Sequence, residues 1–272
     1  MHVSSAIAHP CGAEKNRFFI NKVGELGFPL ICTILFFVHN FSIMQEISAN
    51  STVSEQAFQA LRHDVLSGRH APEEKLKLEA LQTLYGFSSS PLREALNRLV
   101  QEGLVRADER RGFRVTPISP PDLADITKMR LMLDIPALME SITSGDDAWE
   151  AQIVAAFHRL EKIESRLPQG PVVLDAEWSQ RHRDFHRALI AACPSERQLA
   201  WSMSLFDQAE RYRHFAARHR TVSKKKDEEH RTLMQAVLRR DSATASELLA
   251  EHIRSTQTNV LAAFALQAQQ RL

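Results

Sequence analysis

Leu78–Arg114, LEALQTLYGFSSSPLREALNRLVQEGLVRADERRGFR, contains two short helical patterns, a tight turn and a small ribbon. Leu78, Leu81 and Leu84 recur at helical spacing, and Gly86 stops that helix. Ser88, Ser89 and Ser90 offer N-cap hydroxyls to a second helix that carries Pro91 in its first turn. Its apolar stripe is Leu92, Ala95, Leu96, Leu99 and Val100, and it ends near Gly103. Leu104-Val105 and Phe113-Arg114-Val115 then read as two strands joined by a polar turn ending in Gly112. Helix, turn, helix, wing is a shape that reads DNA.

Outward from this stretch, Ala57, Phe58, Leu61, Val65 and Leu66 predict a preceding helix closed by Gly68, with Leu76-Lys77-Leu78 opening the second one. The expectation is a three-helix core with a two-stranded wing over residues 52–117. A helix entering the major groove presents its N-terminal residues to base edges, which places Ser89, Ser90 and Arg93 there. Arg93 can fork to O6 and N7 of a guanine, or it can pair with Glu94 or Glu79 on a solvated face. Arg98, Arg106, Arg110, Arg111 and Arg114 cluster at the far end of that helix and around the wing, where they could neutralise phosphates, though Asp108 and Glu109 dilute the patch.

The whole chain has 272 residues, 44% hydrophobic and 25% charged, with a formal net charge of +1. That composition supports buried cores, and it requires any nucleic-acid affinity to come from a local basic face. Three cysteines without metal-like spacing suit a reducing cytoplasm. The apolar run Phe28–Val38 is shorter than the roughly 20 residues of a membrane span. Residues 1–51 are expected to form an N-terminal extension, disordered or, up to residue 43, translated upstream of a start at Met44.

Ile118-Ser119-Pro120-Pro121-Asp122 punctuates the chain as a linker, with Asp122 near the cap of the next helix. From 123 to 266, six long helical patterns with few breakers predict an all-helical bundle, so the chain as a whole is mainly α. Within it His182 and His186 lie four apart on one helical face, a spacing that lets two imidazoles reach one metal ion. His230 and His252 lie on the last two helices, and facing helices can bring all four together; hydrogen-bonded structural histidines are the plainer alternative. An acidic ligand needs a cationic anchor, for which Arg130, Arg211 and Arg213 are candidates. Arg211 and Arg213 point roughly 200° apart by helical phase, so at most one of them faces a pocket. The basic run of Arg218, Arg220 and Lys224–Lys226 reads as a solvated loop, because Asp227, Glu228 and Glu229 follow it.

Two resemblances attach to these residues. Ser89–Val105, SSPLREALNRLVQEGLV, followed by Arg110–Val115, RRGFRV, resembles the N-terminal domain of GntR-family bacterial transcription factors. The match keeps Arg93 and Gly112, but has Ser89 where that family often has Arg and Glu79 where it often has a basic residue. Asp184–Ile190, Glu229–Val237 and Glu251–Ile253 are similar to the histidine-bearing motifs of the FCD effector domain of the FadR subgroup. That resemblance implies a divalent metal held by His186, His230 and His252, with His182 where the family usually has Asp. Imidazole in place of carboxylate makes such a site less anionic and softer, which favours Zn or Ni and strengthens attraction for an acidic effector. Trp178, His182, Phe185 and His186, with Arg211-Tyr212-Arg213, look most like regulators of the carbon-starvation-induced type, linked to short dicarboxylates.

Together these readings predict a cytoplasmic homodimeric repressor, without enzymatic activity, that binds double-stranded operator DNA and is released by a small carboxylate effector bound beside the metal. A metal-dependent enzyme using the histidine cluster, and a DNA-binding protein with a purely structural helical domain, are the alternatives.

Overall fold

The computed structural model describes residues 51–108, 112–168, 170–219 and 226–269. The expected extension over residues 1–51 lies, except for Ser51, outside the described residues, as do Glu109, Arg110, Arg111 and the loop positions 220–225. Every described helix and strand belongs to one compact unit, Val53–Leu272.

Its first part is the expected winged helix. Helix α1, Val53–Leu66, buries Ala57, Phe58, Leu61, Val65 and Leu66, the predicted face. Helix α2, Leu78–Tyr85, ends on Gly86, whose φ of 72° is the left-handed conformation that a residue without a Cβ adopts freely. Only Leu81 of its predicted stripe is fully buried, while Leu84 is exposed. Helix α3, Ser89–Gln101, is the recognition-helix candidate and seats Pro91, Leu92, Ala95, Leu96 and Leu99 on the core against α1. Full burial of a leucine side chain stabilises the fold by about 1.5–3 kcal/mol, so three such leucines fix this helix firmly on its support.

The wing differs from expectation by one strand. Lys75–Leu76 forms strand β1 instead of opening α2, and with β2, Val105–Asp108, and β3, Gly112–Val115, gives an antiparallel sheet ordered β1-β3-β2. Lys75 pairs with Arg114 and Leu76 with Phe113, which buries Leu76 in the core. A two-residue edge strand is too short to leave a periodic signal.

Helix α4, Pro120–Ser144, starts three residues before its apolar pattern does. Proline needs no hydrogen-bond partner in a first turn, and Ser119 is the cap, its Oγ accepting at 3.3 Å from the N–H of Asp122, which lies near the cap. Then come α5, Asp147–Glu164; α6, Ala176–Ile190; α7, Glu196–His219; α8, Lys226–Leu238; and α9, Ser242–Gln269. Asp146, Asp175 and Asp241 cap α5, α6 and α9 by accepting from backbone N–H groups at 2.7–3.1 Å. The bundle core runs from Ala137 and Leu138 through Phe157, Phe185 and Leu233 to Ile253. None of the described helices is long and apolar enough to cross a membrane.

Helix α7 touches both parts of the unit. Its Asp207 receives Arg62 of α1 and, at 2.8 and 3.1 Å, the Arg183 fork of α6. Arg62 also holds Glu102, just past the end of α3, at 2.9 Å. Gly103 follows with φ of 72°, and a Cβ there would come within 3.3 Å of Gln208 on α7. Further along α7, Arg211 donates to the Thr116 carbonyl at 2.6 Å, and Tyr212 donates to Asp122 at 2.5 Å while accepting from the Ser119 N–H at 3.0 Å.

Candidate metal centre and nucleic-acid interface

Four histidines from three helices converge inside the bundle. His182 and His186 project from α6, His230 from α8 and His252 from α9, and one nitrogen of each falls within 4.8 Å of the others. All four are buried, and the rings pack at centroid distances of 4.7–6.3 Å. Trp178 stacks on His182 at 4.6 Å, so the indole fixes that ring in place.

The donor chemistry fits a divalent metal. His186 Nε2 and His230 Nε2 are buried without a hydrogen-bond partner. Burial without a partner costs about 1–3 kcal/mol per polar atom, so two such atoms gathered in one place call for something that binds lone pairs. Burial also pushes the imidazoles of His182 and His186 well below the ordinary histidine value, keeping them neutral, the form that ligates.

Carboxylates stand behind the rings. Glu164 Oε2 lies 3.1 Å from His230 Nδ1, Glu229 Oε2 lies 3.4 Å from His252 Nδ1, and Glu210 Oε2 lies 3.9 Å from His182 Nδ1. Burial raises the Glu210 carboxyl, but Arg213, His182 and His214 outweigh it and hold the group well below its usual range. Glu210 could have been found by its i,i+3 and i,i+4 spacing to Arg213 and His214. Glu164 is separated from His230 by 66 residues, and no spacing rule reaches that far.

Beside His186 a small pocket is lined by Arg130, Asp134, Ser202, Met203, Phe206 and Leu249, among others. Arg130 Nε donates to Asp134 Oδ2 at 2.9 Å, and its two Nη groups have no partner among the described residues. Arg213 packs over the Phe206 ring at 4.1 Å, but its guanidinium is taken by Glu210 and by the Phe206 carbonyl. Arg211 leaves the pocket altogether for the Thr116 carbonyl. Of the three predicted anchors, therefore, Arg130 lines the pocket, Arg213 buttresses it and Arg211 ties down the end of the winged helix.

At the other end of the unit, Ser89, Ser90 and Arg93 are exposed on the first turns of α3. Ser88 is the N-cap but makes no side-chain capping bond. Arg93 pairs with neither Glu79 nor Glu94; Glu94 instead accepts from Ser54 Oγ at 2.6 Å. Arg98 is engaged inward, 2.8 Å from Glu55 and 3.7 Å above the Phe58 ring. In the wing, Arg114 bonds Asp108 at 3.1 Å and the Glu73 carbonyl at 2.6 Å, and Arg106 lies 3.5 Å from Glu73. Gly112, with φ of 94°, turns the wing strand, while Arg110 and Arg111 fall outside the described residues.

The comparisons with known proteins agree with both halves. Residues 53–115 match the family of bacterial regulatory proteins, gntR family, and residues 125–255 match the FCD domain. The HTH-type transcriptional regulator BphR of Paraburkholderia xenovorans, itself uncharacterized, is 41% identical over 74% of this chain and 82% of its own length. The HTH-type transcriptional repressor GlaR of Escherichia coli is 38% identical over 74% of this chain and 92% of its own. The solved structure of E. coli McbR/YncC shares the fold with a TM-score of 0.67 at 19% identity, covering 79% of this chain and 99% of that one. Both BphR and GlaR are named as regulators of transcription. The chain belongs to the GntR family, with an FCD domain after its winged helix, and is a DNA-binding transcriptional regulator.

Proposed function

We propose that this regulator is a repressor that leaves its operator when a short carboxylate binds beside a divalent metal held by His182, His186, His230 and His252. The observation that carries the proposal is the convergence of four buried imidazoles next to a pocket where Arg130 keeps two Nη groups available. A guanidinium edge grips a carboxylate with two parallel hydrogen bonds, and a metal facing the same pocket adds a second attraction for the anion. Four imidazoles favour Zn or Ni over Mg or Ca. E. coli GlaR carries the word repressor in its name, which supports the sign of regulation here.

An operator fragment retained in a mobility-shift assay should be released by one member of a series of short mono- and dicarboxylates, and chelation of the metal should abolish that release. A metal-loaded complex indifferent to every acid in the series would overturn the mechanism, because a ligand that does not distinguish the DNA-competent from the incompetent arrangement shifts nothing.

The repressor acts as a homodimer, since two half-sites multiply the limited specificity of one recognition helix. Met129, Met132 and Met139 are exposed on one side of α4, and the second copy would cover them. Met132→Glu should then shift the sedimentation coefficient to that of a monomer while the circular dichroism spectrum stays the same.

A further inference from the structure

An imidazole that gives one nitrogen to a metal must do something with the other. A carboxylate can only accept, so a ring nitrogen facing one carries the proton and the opposite nitrogen keeps its lone pair. Glu164 sets up this arrangement for His230. It sits at the end of α5, a helix that contributes no histidine to the cluster, and it is buried. With its Oε2 3.1 Å from Nδ1, the Nε2 lone pair is directed to the buried, partnerless position.

Glu210 stands in a similar place for His182. It projects from α7, which also contributes no ligand, and Arg213 holds it at 2.7 Å, so it keeps its charge in a buried position. Its distance of 3.9 Å from His182 Nδ1 is too long for a hydrogen bond but short for an electrostatic contact in a dry interior. The resemblance leads one to expect a carboxylate at residue 182 itself, and on that view the imidazole leaves the site less anionic. The two buried glutamates change this, since the negative charge stands one layer further out.

We infer that Glu164 and Glu210 are positioning residues of the metal site. Glu164 fixes the tautomer and tilt of His230, and Glu210 supplies from behind His182 the charge that the family pattern carries in the ligand itself. The inference rests on the reading that the four histidines hold a metal. Outer partners of this kind typically change metal affinity by about 10–100-fold.

The test uses the full-length chain, stripped of metal and titrated with Zn2+ against a chromophoric chelator. Glu164→Ala should weaken binding by about 10–100-fold. Glu164→Gln keeps an acceptor for Nδ1–H but loses the charge, and should fall between wild type and alanine. Glu210→Gln should also weaken binding, and it retains an oxygen for Arg213 that alanine would remove. Co2+ absorption spectra report the ligand field directly, and should change in Glu164→Ala and be restored toward wild type in Glu164→Gln. Thermal unfolding in excess chelator checks that each variant folds. Wild type binding Zn2+ while all three variants bind it equally well would overturn the inference and leave the metal site standing. Wild type binding no divalent metal would overturn both.

Discussion

Arg93 shows how much one side chain can depend on its neighbours' choices. Its charge could have been spent on Glu79 or Glu94, but Glu94 is bonded to Ser54, and Arg93 stays exposed on the outer face of α3, unpaired among the described residues. Arg98, one helical turn and a residue further on, is committed to Glu55 and Phe58. The two arginines therefore predict different phenotypes. Arg93→Ala should weaken operator binding by about 1–3 kcal/mol and relax choice at one base pair, with thermal stability unchanged, as fluorescence anisotropy on base-substituted operators would show. If Arg93→Ala weakens every sequence equally, the side chain contacts phosphate and not a base edge.

Among the elements, α7 joins the bundle pocket to the winged helix. One side of it lines the pocket through Ser202, Met203 and Phe206, and another meets the winged helix through Asp207, Gln208 and Arg211. Asp207 is the junction, because Arg183, its partner on α6, lies between the two histidines of that helix, and Arg62, its partner on α1, also holds Glu102 beyond the end of α3. Asp207→Asn leaves two arginines facing a neutral amide. Hydrogen bonds to charged groups are worth about 1.5–3 kcal/mol, so the denaturant midpoint should fall by a corresponding amount. The variant should also need a different effector concentration to leave the operator, since the helix bearing His182 and His186 and the support of the recognition helix lose a shared anchor. An unchanged effector response in a destabilised variant would reduce Asp207 to a structural tie.

For the whole molecule, part of the response to acid follows from a histidine outside the metal cluster. Burial holds the His63 imidazole on α1 below its ordinary range; Asp64 and Asp175 pull the other way, while His214 and Arg69 also disfavour its charge. The unfolded chain takes up this proton near pH ~6.5 and the folded one only at lower pH. Stability from this group is therefore complete above about 6.5 and is lost as the pH falls toward the folded value. Chelator-treated protein should show a lower urea midpoint at about pH 5.5 than at about pH 7.5, and His63→Gln should lose less over that interval. Equal losses in the two proteins would assign the acid sensitivity to other groups.

Much of this was legible in the residues, because helices and turns are local. The stripe of Leu92, Ala95, Leu96 and Leu99, the stop at Gly86 and the bundle helices follow from side-chain periodicity and caps, which the chain writes within a few residues. The spacing of His182 and His186 is equally local, one turn of one helix. What tertiary structure alone decided is long-range: that His230 and His252 complete the cluster, that Glu164 stands behind His230, and that β1 pairs with β3. It also decided which arginines have charge to spare, Arg93 and Arg130 keeping donors while Arg98, Arg211 and Arg213 spend theirs inside the fold. Periodicity records which face of an element is buried, but a charged side chain's role depends on which opposite charge folding brings within about 4 Å, and that partner can lie anywhere in the chain.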